Sequence, residues 1–398
     1  MKNKYNNRLG IVIIGYNNIT GIRRLLDSLN RVQFGDDELI LIFSIDYSGN
    51  DNVKQIAEEY VWNHGKKVVN AFDKNLGLRT HILKCGDYLE DYDLDALIVL
   101  EDDLYLSPNA YLYALETVNF YKEKEYVAGI SLYKHEFNLN AKHPFVDYQD
   151  GYDTYFMQYA QSWGQIWLRK QWNDFKEWYL QDEWKKLDQR IVPDNLKKWT
   201  NSWLKFHIMY CIAKNKYFVY PRVALSTDYS DVGVHGTRQN TDMQVSLDYA
   251  NTKEWKLADI ENSHAVYDAY YQNMIINSRL NYENVLIDYY GIREIPEGYK
   301  YLLTTKPRGY RVERSWGVQL RPIEANIFQD IPGDELFLFD LSKKENLRKT
   351  DWKNKIFEYD LKGINIVQIS NFVYCTRFLT HYISNKYRRF IKKLKIRK

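Results

Sequence analysis

With 45% hydrophobic and 27% charged side chains over 398 residues, the chain is globular rather than disordered. It exceeds one typical core, so two domains, or one large domain with an appendage, are expected. The net charge of +3 is uneven: nine Lys/Arg and no Asp/Glu fall between Val373 and Lys398, and removing those nine leaves −6 on the rest. An acidic body argues against nucleic acid as a partner and makes the tail a candidate attachment element.

Leu9–Gly15 predicts a short buried parallel strand running into Tyr16 and Asn17. Ile22, Leu25, Leu26 and Leu29 then mark one face of a helix. Strands are predicted over 38–46, 67–71, 96–100 and 126–133, and helices over 52–63, 80–88 and 108–121. This alternation implies an α/β fold, an open and mostly parallel sheet with helices on both faces. Ligands of such sheets bind at the carboxyl ends of strands. Beyond residue 160 the pattern changes. Trp163, Trp167 and Trp178 sit among charged residues in segments that read as helical. A strand is predicted over 216–223, a polar loop over 224–237, a helix over 267–280, and strands over 335–341 and 364–369. The expected divisions are a main domain over 1–245, an accessory α+β region over 246–372 and a basic tail over 373–398.

Cys85, Cys211 and Cys375 are far apart and lack CxxC spacing. No disulfide framework or structural zinc is expected, and a reducing cytoplasm fits. The apolar run at 11–14 is too short for a signal-peptide core or a membrane span, and nothing later approaches a spanning helix.

The acidic triplet Glu101-Asp102-Asp103 directly follows the apolar strand ALIVL. Hard oxygen ligands there suit Mg²⁺ or Mn²⁺, which often take one or two carboxylates plus substrate phosphates. The alternative is a solvated loop, although Ser107 before Pro108 already offers a cap for the next helix. Asp46 ends the second strand and reads either as a nucleotide acceptor or as a turn residue. Tyr16 and Asn17 offer a ring and an amide to a nucleobase. His235 lies between Gly233 and Gly236, on a loop that either closes over a ligand or is simply exposed. No phosphate loop GxxxxGK[ST] occurs and no GxGxxG follows the first strand, which disfavours kinase and dinucleotide chemistry.

Together these motifs resemble the GT-A glycosyltransferases, in particular bacterial family-2-like sugar transferases and, more distantly, N-acetylglucosaminyltransferase I. The matching pieces are IVIIGYNN at 11–18, FSIDYSG at 43–49, NLGLR at 75–79, LIVLEDDLYLSP at 97–108, QSWGQIWLRKQW at 161–172, NSWLKF at 201–206 and YPRVALSTDYSDVGVHGT at 220–237. The resemblance implies inverting transfer from a nucleoside-diphosphate sugar, a UDP-sugar foremost, to a glycan or lipid-linked glycan, with Mn²⁺ or Mg²⁺. It implies Asp103 as metal ligand and Asp102 beside the sugar and ribose. It places Asp46 on the base, with Tyr16, Asn17, Asn75, Arg79 and His235 also binding nucleotide, and 226–237 as a loop closing over the diphosphate. One departure concerns the general base. Relatives carry an aspartate beside the tryptophan of the NSW-like segment, where Trp203 here has Ser202 and Leu204. Asp194, Glu183 and Asp231 are the remaining candidates. A non-catalytic binding relative is the alternative reading. The tryptophans at 163–203 serve either the core or acceptor stacking.

In the tail, Phe378, Leu379, Tyr382, Ile383, Phe390, Ile391 and Leu394 recur at near-helical spacing between Lys and Arg. That is the pattern of a basic amphipathic helix at an anionic membrane surface, or of a helix packed on the acidic body. The first option gives a cytoplasmic enzyme held at the inner face of the plasma membrane, in bacterial surface polysaccharide or glycoconjugate synthesis.

Overall fold

The computed structural model describes residues 7–229, 243–250, 254–347 and 350–363, with 375–376, 379–380, 382–384 and 386–387. Contacts divide the chain into a unit of residues 1–348 and a unit of 349–398. The first unit begins with β1 (Leu9–Gly15), α1 (Ile19–Leu29), β2 (Leu39–Ile45), α2 (Asn52–Glu59), β3 (Gly65–Ala71), α3 (Leu78–Asp91) and β4 (Ala96–Glu101). It continues with β5 (Leu104–Leu106), α4 (Ala110–Tyr121), β6 (Val127–Ser131), the short β7 (Phe137–Asn138) and β8 (His143–Pro144), β9 (Thr154–Met157) and β10 (Gln165–Leu168). Then come α5 (Arg169–Leu180), α6 (Asp194–Lys197), α7 (Leu204–Lys214), β11 (Tyr217–Pro221), β12 (Ser226–Asp228) and β13 (Val266–Tyr267). The remainder is α8 (Ile276–Leu280), β14 (Val285–Ile287), β15 (Tyr301–Thr304), β16 (Tyr310–Trp316), α9 (Ala325–Phe328) and β17 (Leu336–Lys344). The second unit contains α10 (Trp352–Asp360).

Among the described residues one sheet has nine strands in the order β13-β9-β11-β6-β10-β4-β1-β2-β3. The run β3-β2-β1-β4 is parallel throughout. All of β1 is buried because successive side chains enter opposite layers. Leu9, Ile11 and Ile13 pack with the apolar faces of α1, α2 and α4. Val12 and Ile14 pack with α3, α5 and α7. The α/β architecture read from the sequence is thus present, as a mixed sheet.

The differences have local causes. Trp167 lies in β10, which inserts antiparallel between β4 and β6, not in a helix. Its ring stacks on Trp172 at 3.7 Å and meets Trp203 edge-on at 5.8 Å, so these three tryptophans are core. Helix α2 stops at Glu59, short of residue 63, because the Lys67 ammonium donates to the last carbonyls of Ala57, Glu58 and Tyr60. The helix predicted over 267–280 is confined to α8. Ahead of it the Asp268 carboxylate accepts from Tyr270 N and Gln272 N, and Tyr271 adopts φ 64°, a left-handed turn that breaks the helix. The first part of the predicted polar loop is β12, which pairs with β5. The large sheet takes its edge strand β13 from beyond residue 245, while β14-β15-β17-β16 form a separate sheet. The strand predicted over 364–369 lies outside the described residues.

Glu324 closes this region against the large sheet. It is buried, and its Oε1 accepts from Tyr267 OH at 2.7 Å and Asn273 Nδ2 at 3.3 Å. Burial pushes its carboxyl up to about 7, against the pull of these donors. A raised folded-state pKa means the native state holds the proton longer than the unfolded chain. Stability from this group is full below about pH 4.5 and is lost as pH rises through about 7. Glu324→Gln keeps the acceptor and removes the charge. It is expected to flatten that slope and to raise the Tm above pH 7, which thermal melts from pH 4.5 to 8 would show.

Candidate active site

Strand order reverses between β1 and β4. The chain steps outward from β1 to β2 and β3, then returns to the other side of β1 as β4. The crevice at such a switch point is where open α/β sheets take ligands. Tyr16 and Asn17 leave β1 here, and Glu101, Asp102 and Asp103 leave β4. The two ends are tied together by Tyr16 N donating to Asp102 Oδ2 at 3.3 Å. Asn18 Oδ1 accepts from Gly21 N at 2.9 Å and opens α1. A β-carbon on Gly21 would lie 2.4 Å from the Asp102 carbonyl oxygen, so only glycine lets α1 approach the acidic turn.

The β5–β12 pairing adds a fourth carboxylate. Asp228 stands opposite Leu104 and is 2% exposed, and Tyr229 N donates to Asp103 O at 3.1 Å. Burial, then the charges of Asp103, Asp102 and Asp228, hold the Glu101 carboxyl well above the usual range, while a hydrogen bond with Ser162 opposes them. The Ser162-Trp163-Gly164 segment is locked to β12 by Ser226 Oγ donating to Trp163 O at 2.5 Å. Gly164 has φ 94°, and a β-carbon there would meet Ser226 Oγ at 2.6 Å. The sequence reading puts Asp228 on the polar loop and not beside the triplet, because that place depends on pairing with a strand more than a hundred residues earlier.

Asp46 is buried at the end of β2. Its Oδ1 accepts from Tyr47 N at 2.9 Å and Leu76 N at 2.8 Å, and its Oδ2 from Gly77 N at 3.0 Å. A carboxylate has about four acceptor sites, so one remains for a ligand donor. Asp46 therefore holds the 75–77 turn that opens α3, helped by Asn75 Nδ2 donating to Tyr47 O at 3.0 Å. His81, one turn into α3, was not foreseen. Its Nε2 lies 2.8 Å from Ser44 Oγ, and burial pushes its pKa down to about 4 despite the charge of Asp46.

Other predicted residues fall elsewhere. The Arg79 guanidinium donates to Thr200 O at 2.6 Å and lies over the Phe206 ring at 4.8 Å. Glu183 is paired with Lys186 at 2.5 Å and Asp194 with Lys197 at 2.7 Å, both on the stretch between α5 and α7. Ser107, expected as a helix cap, accepts from Asn109 N at 3.0 Å, just ahead of α4. Asp231, His235 and most of the 226–237 loop lie outside the described residues.

Among the described residues no three His, Cys, Asp or Glu side chains are arranged to hold a metal ion by themselves. The donor set at the acidic turn is nevertheless hard carboxylate oxygen, and the mutual repulsion on Glu101 is what a cation would relieve. It fits a divalent ion whose shell is completed by diphosphate oxygens.

Residues 10–175 match the sequence model of glycosyl transferase family 2. Over this part of its length the chain is similar to the family 2 glycosyltransferases. The matched region runs from β1 into α5, so it contains the acidic turn and Asp46, while Asp228 lies beyond the matched residues. Similar solved structures include residues 1–349 of S. aureus TarS, at 16% identity over 55% of this chain and 59% of that one, TM-score 0.36. The same protein in complex with UDP-GlcNAc gives 15% identity over 55% and 57%, TM-score 0.35. The mannosyltransferase PcManGT from Pyrobaculum calidifontis, in complex with GDP-Man and Mn²⁺, gives 14% identity over 42% and 46%, TM-score 0.30. The likeness spans less than two thirds of each of these structures. No curated protein matches the sequence.

Proposed function

We propose that the chain transfers a sugar, with inversion, from a nucleoside-diphosphate sugar, a UDP-sugar foremost, to a glycan or lipid-linked glycan in bacterial surface polysaccharide or glycoconjugate synthesis. The observation that carries this reading is the Glu101–Asp103 turn at the strand-order reversal, inside the region similar to the family 2 glycosyltransferases. Asp103 would hold Mn²⁺ or Mg²⁺, which neutralises charge on the departing nucleoside diphosphate. Asp102, tied to Tyr16 N, faces the sugar and ribose. Asp46 takes the base through its remaining acceptor site, with Tyr16 and Asn17 beside it. Glu183 and Asp194 stand on the stretch that reaches α7 and remain the candidates for accepting the acceptor's proton, with Asp231. A panel of nucleotide sugars, UDP-GlcNAc and GDP-Man among them, tests the reading by thermal shift with Mn²⁺. A donor at 100 times its Kd adds about 2.7 kcal/mol. No stabilisation by any member would reject it. The binding-only alternative rests on Trp203, which is buried between Ser202 and Leu204 and so supplies no adjacent base.

Asp46→Ala is expected to raise KM for the donor about tenfold or more with little change in kcat. A base contact made equally in ground and transition states supports binding alone, and loss of the 75–77 anchor works in the same direction. Steady-state kinetics at varied donor would contradict this by showing kcat falling at constant KM.

The tail is proposed to hold the enzyme at the inner face of the plasma membrane. Leu379, Tyr382, Ile383 and Tyr387 are each more than half exposed, and basic residues intersperse them. Anionic lipid attracts each such cation by about 1 kcal/mol. No helix among the described residues is long and apolar enough to cross a membrane. The full chain is expected to co-sediment with anionic liposomes in low salt, and a chain ending at Asn371 is not. Equal binding by both would remove the tail's role.

A further inference from the structure

Beside the N-terminus of α3 lies a pocket of about 430 Å³ that shares only Arg79 with the nucleotide-binding candidates named above. Tyr179, Trp184, Trp199 and Phe206 give it aromatic walls. Tyr179 and Trp184 each stand edge-on to Phe206, at ring separations of 5.0 Å, and so hold one another in place. The charges around it are unbalanced. Arg79, Lys197 and Lys205 line it against one carboxylate, Asp182. Asp182 is already taken by Lys185 at 2.5 Å, and Lys197 by Asp194. Arg79 and Lys205 are both partly buried, and among the described residues neither has a carboxylate partner. The Arg79 Nε is buried with no acceptor. A cation withdrawn from water without an anion is costly, and an anion supplied by a ligand offsets that cost. Flat apolar walls with a few fixed polar groups suit a sugar ring.

From this we infer that the pocket binds the acceptor, and that the acceptor is an anionic saccharide, bearing a phosphate or a carboxylate that meets Lys205 and Arg79. The inference rests on the glycosyltransferase reading for the word acceptor, but the binding chemistry stands apart from it. The stretch that builds the pocket, from Tyr179 to Phe206, lies almost wholly beyond α5. It also carries Glu183 and Asp194, the two described candidates for the general base. An acceptor seated here would therefore lie along the segment that supplies the proton acceptor.

The test is ligand-observed NMR titration of the full-length protein with glucuronic acid, glucose 6-phosphate and glucose, in the presence of UDP and Mg²⁺. At least one anionic sugar is expected to bind about tenfold or more tightly than glucose, equivalent to one charge-assisted contact of about 1.4 kcal/mol. The better of the two identifies the anion. Lys205→Glu, and more mildly Lys205→Gln, should remove that preference while the UDP-induced rise in Tm is unchanged. The basic tail is the same in all three proteins, so binding there cannot produce the difference. Equal affinity for charged and neutral sugars, an undiminished preference in Lys205→Glu, or displacement of the anionic sugar by raised UDP would overturn the inference. The titration reads out whether or not UDP binds, so failure of the donor reading is a separate result, seen as the absence of any UDP-induced shift in the wild-type protein.

Discussion

Asp103→Ala is expected to reduce sugar transfer by more than about 100-fold while leaving the protein folded. Removal of one preorganised charge stabiliser typically costs that much in rate. The fold is expected to survive because the substitution leaves three ties of the turn in place: Tyr229 N bonds to Asp103 O, β5 pairs with β12, and Tyr16 N bonds to the Asp102 carboxylate. One fewer negative charge beside Glu101 also relieves repulsion there, so Tm should hold or rise. Initial rates at saturating donor, with melting curves of both proteins, check both halves. Full activity of the variant in buffer treated with EDTA would remove Asp103 as a metal ligand.

Arg222→Met is expected to destabilise the protein by about 3–5 kcal/mol, the usual cost of removing one partner from a buried ion pair. Arg222 is 7% exposed and serves two buried carboxylates at once. Its Nη1 pairs with Asp147 and its Nη2 with Asp150 at 2.5 Å, while Nε donates to Tyr152 O at 2.6 Å. Methionine retains the apolar stem and abandons both charges. Lys134, 3.6 Å from Asp147 Oδ1, reaches only one of them. Asp150 also accepts from Ser263 Oγ at 2.8 Å and His264 N at 2.9 Å, so the damage spreads to the chain that delivers β13. Urea unfolding of both proteins measures the difference. A loss under about 1 kcal/mol would mean that the three charges are not mutually dependent, and Asp147→Asn combined with Arg222→Met should recover part of it.

The parallel half of the sheet was legible because strands buried on both faces appear as unbroken apolar runs. LGIVIIG and ALIVL show this directly, each ending in polar residues that open the crevice. QIWL was not legible as strand β10. A glutamine and three apolar residues leading into a charged helix have no distinctive period, and the antiparallel insertion between β4 and β6 is a tertiary choice. The sequence names Asp46 as a candidate but not as the anchor of the 75–77 turn, since its partners Leu76 and Gly77 come 30 and 31 residues later. It places Asp228 on a polar loop but not beside the acidic triplet, for the same reason at longer range. The tryptophan-rich stretch divided in a way that composition cannot show. Trp167, Trp172 and Trp203 went to the core, while Trp184 and Trp199 line the pocket beside Arg79.

The central claim is that the acidic turn ending β4 is the metal-dependent donor site of a sugar transferase. Release of nucleoside diphosphate from a bound nucleotide sugar, without acceptor, tests it most directly. The full chain should hydrolyse one member of a nucleotide-sugar panel slowly with Mn²⁺, stop on addition of EDTA, and recover when Mn²⁺ is restored. Asp103→Ala should show no metal-dependent release. Release that continues at the same rate in EDTA and in the variant, or no release from any donor by a folded wild-type protein, would contradict the account.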